Sequence, residues 1–123
     1  MSAPIHILLY VADPMASAGF YERLLGRPPV EAHPTFVGFS LDTGIMLGLW
    51  LKANVVPAAT APGGCEVAFE VDGIPALEEK YDAWRAAGVT IIQDLSDMDF
   101  GRMFTAVDPD GHRLRVFYPR QPA

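Results

Sequence analysis

The sequence lacks a pair of cysteines, a membrane-spanning apolar run and a secretory signal. Cys65 is its single cysteine, so the chain forms no intrachain disulfide. Proline, glycine or charged residues interrupt every apolar run well short of the roughly 20 residues that cross a bilayer. The opening MSAPIHILLYVADP lacks the basic start and the long apolar segment of a secretory signal. We therefore expect a cytoplasmic protein that does not span a membrane.

Basic residues are also in the minority. Nine lysines and arginines stand against 15 acidic residues, which gives a formal net charge of −6. This charge repels a phosphate backbone unless the basic residues gather on one face, so we expect no nucleic-acid partner. Half of the 123 residues are apolar, which is enough for one domain with its own hydrophobic core.

Two halves of the chain show the same order of elements. The first half predicts a strand over Pro4 to Val11, a helix from Asp13-Pro14 to Gly26, and strands at 30–32, 35–41 and 45–51. The second half predicts a strand at 66–71, a helix with its N-terminal cap at Asp72 and its end at Gly88, and strands at 89–93, 102–107 and 113–118. Residues 52–64, rich in Ala, Pro and Gly, are predicted to be a linker. We interpret the halves as diverged βαβββ modules over 4–51 and 65–119 of a single α+β domain spanning 1–123.

Three motifs within these elements resemble motifs of the vicinal oxygen chelate superfamily. They are the strand phrase HILLYVAD at 6–13, the helix residues Phe20-Tyr21 with Leu25-Gly26, and the hairpin DPDGHRLR at 108–115. That superfamily includes glyoxalase I, extradiol dioxygenases and the bleomycin- and fosfomycin-resistance proteins. The resemblance implies a curved, mostly antiparallel sheet around a ligand cavity, helices on the outer face, and a homodimer. The phrases GLW at 48–50 and FGRMF at 100–104 are similar to the branch that contains phenazine-antibiotic-resistance proteins.

The resemblance also implies four positions at which the metal-dependent members place their ligands. His6 and Glu66 occupy the first and third of them, and both side chains can bind a cation. Gly48 occupies the second and has no side-chain donor, while the fourth is Arg115, whose guanidinium repels a cation. We therefore expect no metal and no other cofactor, and we expect Glu66 and Arg115 to form an ion pair instead. His6 is alternatively a partly buried histidine bonded to a neighbour.

Strand alternation indicates which side chains face the predicted ligand cavity and what they would bind. It places His6, Leu8 and Tyr10 on the face of the first strand opposite the helix, and Met46, Gly48 and Trp50 on the same face of the fourth. We interpret Trp50 as a stacking platform for a small planar aromatic molecule, with Gly48 leaving room beside it. The predicted ligand-binding residues are Trp50, Tyr10, Phe36, Gly48, Phe100, Met103, Glu66, Arg115 and His6. Trp50 alternatively only covers the core.

Three functions stay open at this point. The first is binding without turnover of an aromatic antibiotic or metabolite, with no catalytic residue, in which Arg115 could also meet a ligand carboxylate. The second is an enzyme of the same superfamily, with an unusual metal site or none, that uses His6 or Glu66 as a general base. The third is an interaction module with no small-molecule ligand. The segment from Asp97 to Arg102 is either a loop that closes over a pocket or a plain connection.

Overall fold

The first half of the chain forms a four-stranded mixed sheet with one helix. In the computed structural model, which describes residues 5–121, its elements are β1 (Ile5–Val11), α1 (Pro14–Leu25), β2 (Glu31–His33), β3 (Phe36–Ser40) and β4 (Ile45–Leu51), followed by a 3₁₀ turn over Lys52–Asn54. The strand order is β1-β4-β3-β2, in which β1 is parallel to β4 and the other pairs are antiparallel. Pro4, the predicted first strand residue, lies outside the described residues.

Local residues determine both ends of α1. The Asp13 carboxylate accepts hydrogen bonds from the backbone amides of Met15, at 3.1 Å, and Ala16, at 3.3 Å. These amides have no partner inside the helix, so the cap stabilises its first turn. Gly26 has φ +70° and donates its amide to the Glu22 carbonyl, which ends the helix as predicted.

One face of the first sheet is covered by α1. Tyr21 of α1 is completely buried, and its ring lies 6.5 Å from that of Phe39. The other large buried side chains of this half follow the period of two expected for strands: Val11, Val37, Leu47 and Leu49. Among the described residues of this half, no second α-helix covers the opposite face of the sheet.

The second half repeats the same order of elements. They are β5 (Glu66–Glu70), α2 (Ile74–Ala86), β6 (Thr90–Met98), β7 (Gly101–Val107) and β8 (Arg113–Pro119). The strand order is β5-β8-β7-β6, again with one parallel pair, β5 with β8. The predicted cap Asp72 does not cap α2, because the N-cap residue is Gly73, which has no side chain to donate or accept.

The helix α2 packs on this sheet through aromatic residues. Trp84 is 6% exposed, and its ring meets that of Phe104 edge to face at 5.5 Å. Tyr81 lies 5.2 Å from the same Phe104 ring and donates a 2.7 Å hydrogen bond to Asp94. That hydrogen bond raises the pKa of the Tyr81 hydroxyl, because ionisation would remove the donated proton.

The chain divides into two compact units, with the boundary between Ala61 and Pro62. The predicted α+β class with βαβββ order in each half is confirmed, and each half builds its own four-stranded sheet. We refer below to the first and second units. Of the described helices, none is long and apolar enough to cross a membrane.

Candidate functional site

The face of the first sheet opposite α1 is partly exposed. Along β1, His6 is exposed, Leu8 is 42% exposed and Tyr10 is 37% exposed, whereas Val11 is completely buried. The predicted division of this strand into two faces is therefore confirmed. His6 is not the partly buried histidine of the alternative interpretation.

Aromatic rings form a row across the four strands of the first sheet. Tyr10 pairs with Trp50, Trp50 pairs with Phe36, and Phe36 pairs with His33. The Tyr10 and Trp50 rings meet edge to face, with centroids 6.0 Å apart and an interplanar angle of 74°. Trp50 and Phe36 are half-buried, so part of each ring is open to solvent. Such a row offers a flat ligand both ring faces and ring edges.

The neighbouring row contains two glycines, and the expectation that Gly48 leaves room beside Trp50 was wrong. Leu8, Gly48, Gly38 and Glu31 pair in succession across the same strands. A Cβ atom on Gly48 would lie 2.7 Å from Cζ of Phe36 and 2.8 Å from Cδ2 of Leu8. Gly48 thus leaves no empty space beside Trp50, because the Phe36 ring and Leu8 already fill it.

The predicted ion pair in the second unit is present. Arg115 donates from Nε to Oε2 of Glu66 at 2.5 Å and from Nη2 to Oε1 at 3.0 Å. This two-pronged geometry matches a guanidinium to a carboxylate, and the two side chains are only 15% and 33% exposed. The hydrogen bonds from Arg115 lower the pKa of the Glu66 carboxyl below its ordinary value of 4.5, and burial opposes this only in part.

The four positions that could hold a metal therefore do not supply a coordination sphere. Gly48 has no donor, and Arg115 occupies the Glu66 carboxylate with two hydrogen bonds. His6 pairs with Met46 across the first sheet, one row away from Gly48. Within residues 5–121, no group of three or more His, Cys, Asp and Glu side chains is arranged to bind a metal ion. The donor set does not fit a divalent metal.

Arg115 contacts two further side chains, one of which sequence reasoning missed. Its Nη1 donates to Oε1 of Gln93 at 2.8 Å and lies 3.1 Å from Sδ of Met103. Gln93 Oε1 also accepts a 2.8 Å hydrogen bond from Oγ1 of Thr105. Met103, a predicted ligand-binding residue, is completely buried and contacts Arg115 through its sulfur. No clear signal in the sequence pointed to Gln93, because β6 shifts its register against β7 on both sides of this residue.

The segment from Asp97 to Arg102 is a tight hairpin. β6 extends to Met98 and β7 begins at Gly101, so only two residues form the turn. Phe100 is 52% exposed, and its ring meets that of Phe117 edge to face at 5.5 Å. The Phe100 carbonyl accepts a 2.6 Å hydrogen bond from the Arg120 amide. Of the two interpretations of this segment, the structure favours the plain connection.

The structure thus brings the predicted residues together in two groups. The first unit holds Trp50, Tyr10, Phe36 and Gly48 in adjoining rows, with His6 one row further along. The second unit holds Glu66, Arg115 and Met103 in one cluster, while Phe100 contacts Phe117. Phe117 and Arg115 are two residues apart on β8 and therefore share a sheet face.

Known proteins resemble this chain along almost its whole length. Residues 4–116 match the family model described as the glyoxalase/bleomycin resistance protein/dioxygenase superfamily. The phenazine antibiotic resistance protein EhpR of Enterobacter agglomerans is 26% identical over 112 residues, which are 89% of this chain and 86% of that protein. An Agrobacterium tumefaciens protein with a solution NMR structure is 45% identical, with a TM-score of 0.88 over 98% of this chain and 100% of that one. A glyoxalase-related enzyme from Fulvimarina pelagi is 26% identical, with a TM-score of 0.82 over 96% and 88% of the two chains. The chain belongs to the glyoxalase/bleomycin resistance protein/dioxygenase superfamily.

Proposed function

We propose that this protein binds a small planar aromatic compound without a metal ion and without converting it. The observation that carries the proposal is the row of Tyr10, Trp50 and Phe36 across the first sheet. A partly exposed row of aromatic side chains on a sheet face, free of a covering helix from its own unit, is suited to stacking a flat ring system. The relative EhpR is a phenazine antibiotic resistance protein, and phenazine is a flat ring system, which supports a ligand of this shape.

Independence from metal is supported by the chemistry of the second unit. Two of the four family positions, Gly48 and Arg115, supply no ligand atom, and Arg115 binds the carboxylate of a third, Glu66. A metal at this place would have to displace a charge-assisted pair and then lie beside a permanent positive charge.

The same ion pair argues against the alternative of an enzyme that uses Glu66 as its base. A general base works best with a pKa near the working pH. The pKa of Glu66 is lowered by Arg115, which makes its carboxylate a weaker base than a free glutamate. The wild type, Glu66→Ala and His6→Ala should therefore all leave the bound compound unconverted. A loss of turnover in Glu66→Ala or His6→Ala would instead favour the enzyme.

Tryptophan fluorescence tests the binding proposal, because the two tryptophans lie in different units. Trp50 belongs to the partly exposed row of the first unit, whereas Trp84 lies on α2 and packs into the core of the second unit. We expect phenazine to quench the wild type and a Trp84→Phe variant saturably, and to have little effect on Trp50→Phe. Quenching that survives in Trp50→Phe but not in Trp84→Phe would refute the assignment of the first-unit row. The homodimer and the cytoplasmic location stay predictions.

A further inference from the structure

The aromatic row of the first unit borders two titratable side chains of the edge strand β2. His33 pairs with Phe36, and Glu31, two residues before it, pairs with Gly38. Residues paired across neighbouring strands, and residues two apart on one strand, lie on the same face of a sheet. The Glu31 carboxylate and the His33 imidazole therefore belong to the face that carries the aromatic row.

Glu31 lies close to the ring of Phe36. A Cβ atom on Gly38 would lie 3.4 Å from Oε1 of Glu31 and 3.4 Å from Cε2 of Phe36. Both side chains thus cover the same glycine, with the carboxylate next to the ring. A flat ligand that extends over Phe36 comes near this carboxylate.

The negative charge of Glu31 has no permanent counter-charge among the described residues. Its ionic contact is with Nε2 of His33, at 3.4 Å, and the two side chains are 50% and 61% exposed. Histidine is ordinarily uncharged at pH 8, so this contact leaves the carboxylate negative. Glu66 of the second unit differs, because the Arg115 guanidinium donates two hydrogen bonds to it.

The rest of the face offers no fixed cation to a ligand anion. Arg27 donates to the Ser40 carbonyl, but its guanidinium is paired with Asp42 at 2.9 Å. Of the described strand residues that share the face with Glu31 and His33, none is lysine or arginine: His6, Leu8, Tyr10, Phe36, Gly38, Ser40, Met46, Gly48 and Trp50.

The aromatic rings favour the same sign of ligand charge as Glu31. The face of an aromatic ring is negative and attracts a cation within about 6 Å of its centre, tryptophan most strongly. Trp50 and Phe36 are half-buried and Tyr10 is 37% exposed, so each ring is partly accessible. The net charge of −6 adds a weaker attraction at longer range.

We propose that Glu31 is a specificity-determining residue that makes the aromatic row selective for cationic planar ligands. The ligand class is a fused heteroaromatic ring system with a positively charged ring nitrogen, which stacks on the row beside the carboxylate. This inference rests on the proposed binding function and narrows its ligand class. All the residues that carry it belong to the first unit.

The test compares N-methylacridinium, which has a fixed positive charge, with acridine, which has the same three rings and is neutral at pH 8. Equilibrium dialysis at pH 8 and low ionic strength measures both affinities. We expect the wild type to bind the cation about 10-fold more tightly, from a partly exposed ion pair and cation–π attraction together. Glu31→Gln keeps the size of the side chain and removes its charge. The preference should then fall to about 2- to 3-fold, with the acridine affinity unchanged.

Glu22→Gln is the matched control, because it removes the same charge at an exposed position of α1, on the other side of the same sheet. Its preference for the cation should equal that of the wild type. This inference alone would be overturned if the wild type bound acridine without preferring the cation, or if Glu31→Gln kept the full preference. It would also be overturned if Glu22→Gln lost as much of the preference as Glu31→Gln. Failure of the wild type to bind either compound would overturn the proposed function as well.

Discussion

Phe36 shows how single residues shape the binding face. Its ring lies over Gly48, where a side chain would collide with it, and 3.4 Å from the position of a Cβ on Gly38. The two glycines face each other across β3 and β4, so the ring rests on bare backbone. This packing holds Phe36 beside Trp50 and keeps the aromatic row continuous.

Replacing Gly48 by alanine tests this packing. The added methyl group would lie 2.7 Å from Phe36 and 2.8 Å from Leu8, so one of them must move. We expect the free energy of unfolding to fall by about 1–3 kcal/mol, as overpacking usually gives. Urea denaturation measures it. Gly64→Ala is the control, since nothing lies within 4 Å of its added Cβ. Equal effects of the two substitutions would contradict the packing described.

The Glu66–Arg115 pair predicts a pH dependence of stability. Arg115 lowers the pKa of Glu66 in the folded chain, so the pair stabilises the fold above the ordinary value of 4.5 and loses this effect as the pH falls through the lowered value. Glu66→Gln should lower the free energy of unfolding by about 1 kcal/mol at neutral pH, a figure reduced for partial exposure. In strong acid the two proteins should be equally stable. If the difference in free energy of unfolding between the two proteins grew on acidification, the prediction would be contradicted.

These residues also show what the sequence can predict of a site. The resemblance to the superfamily predicted that Glu66 and Arg115 would meet, because it places both residues at metal-ligand positions of one cavity. Gln93 was not predicted, because the two register shifts of β6 break the alternation around it. The filling of the space beside Gly48 was missed for another reason. It depends on the rotamer of Phe36, which lies on a different strand.

At the level of elements, the two helices differ in how they begin. α1 has the side chain of Asp13 as its cap, whereas α2 begins at Gly73, and Asp72 before it makes no capping hydrogen bond. Asp13→Ala should therefore lower the free energy of unfolding by about 1 kcal/mol. Asp72→Ala should change it by less than about 0.5 kcal/mol, as surface substitutions do. Thermal unfolding of both variants measures the difference, and equal losses would contradict the assignment of the caps.

The elements with local signals were predicted well. Asp13-Pro14 and Gly26 mark the ends of α1 by their own conformational preferences, and these need no tertiary contact. The extension of β6 to Met98 was not predicted, because the polar residues after Gln93 resemble a loop. Their strand conformation comes from pairing with β7, for example Ser96 with Met103. Such pairing joins residues that no local pattern connects.

At the scale of the whole molecule, the net charge of −6 acts on every ligand. An anionic ligand is repelled by this charge, and salt screens the repulsion. Phenazine-1-carboxylate should therefore bind more weakly than neutral phenazine at low ionic strength. The difference in affinity between the two compounds should narrow as salt is added, and a series of calorimetric titrations measures it. Tighter binding of the carboxylate at low salt would show that a local cationic group binds it. That result would contradict this prediction, because the Arg115 guanidinium already donates to Glu66, Gln93 and Met103.

Family membership leaves both binding proteins and enzymes open, because the fold does not decide the function. The central claim is that this chain binds a planar aromatic ligand with no metal. The most direct test is calorimetry of phenazine binding to protein treated with a chelator, repeated after adding an equimolar divalent metal. We predict saturable binding with the same affinity in both titrations and phenazine recovered unchanged. Binding or conversion that requires the metal would contradict the account.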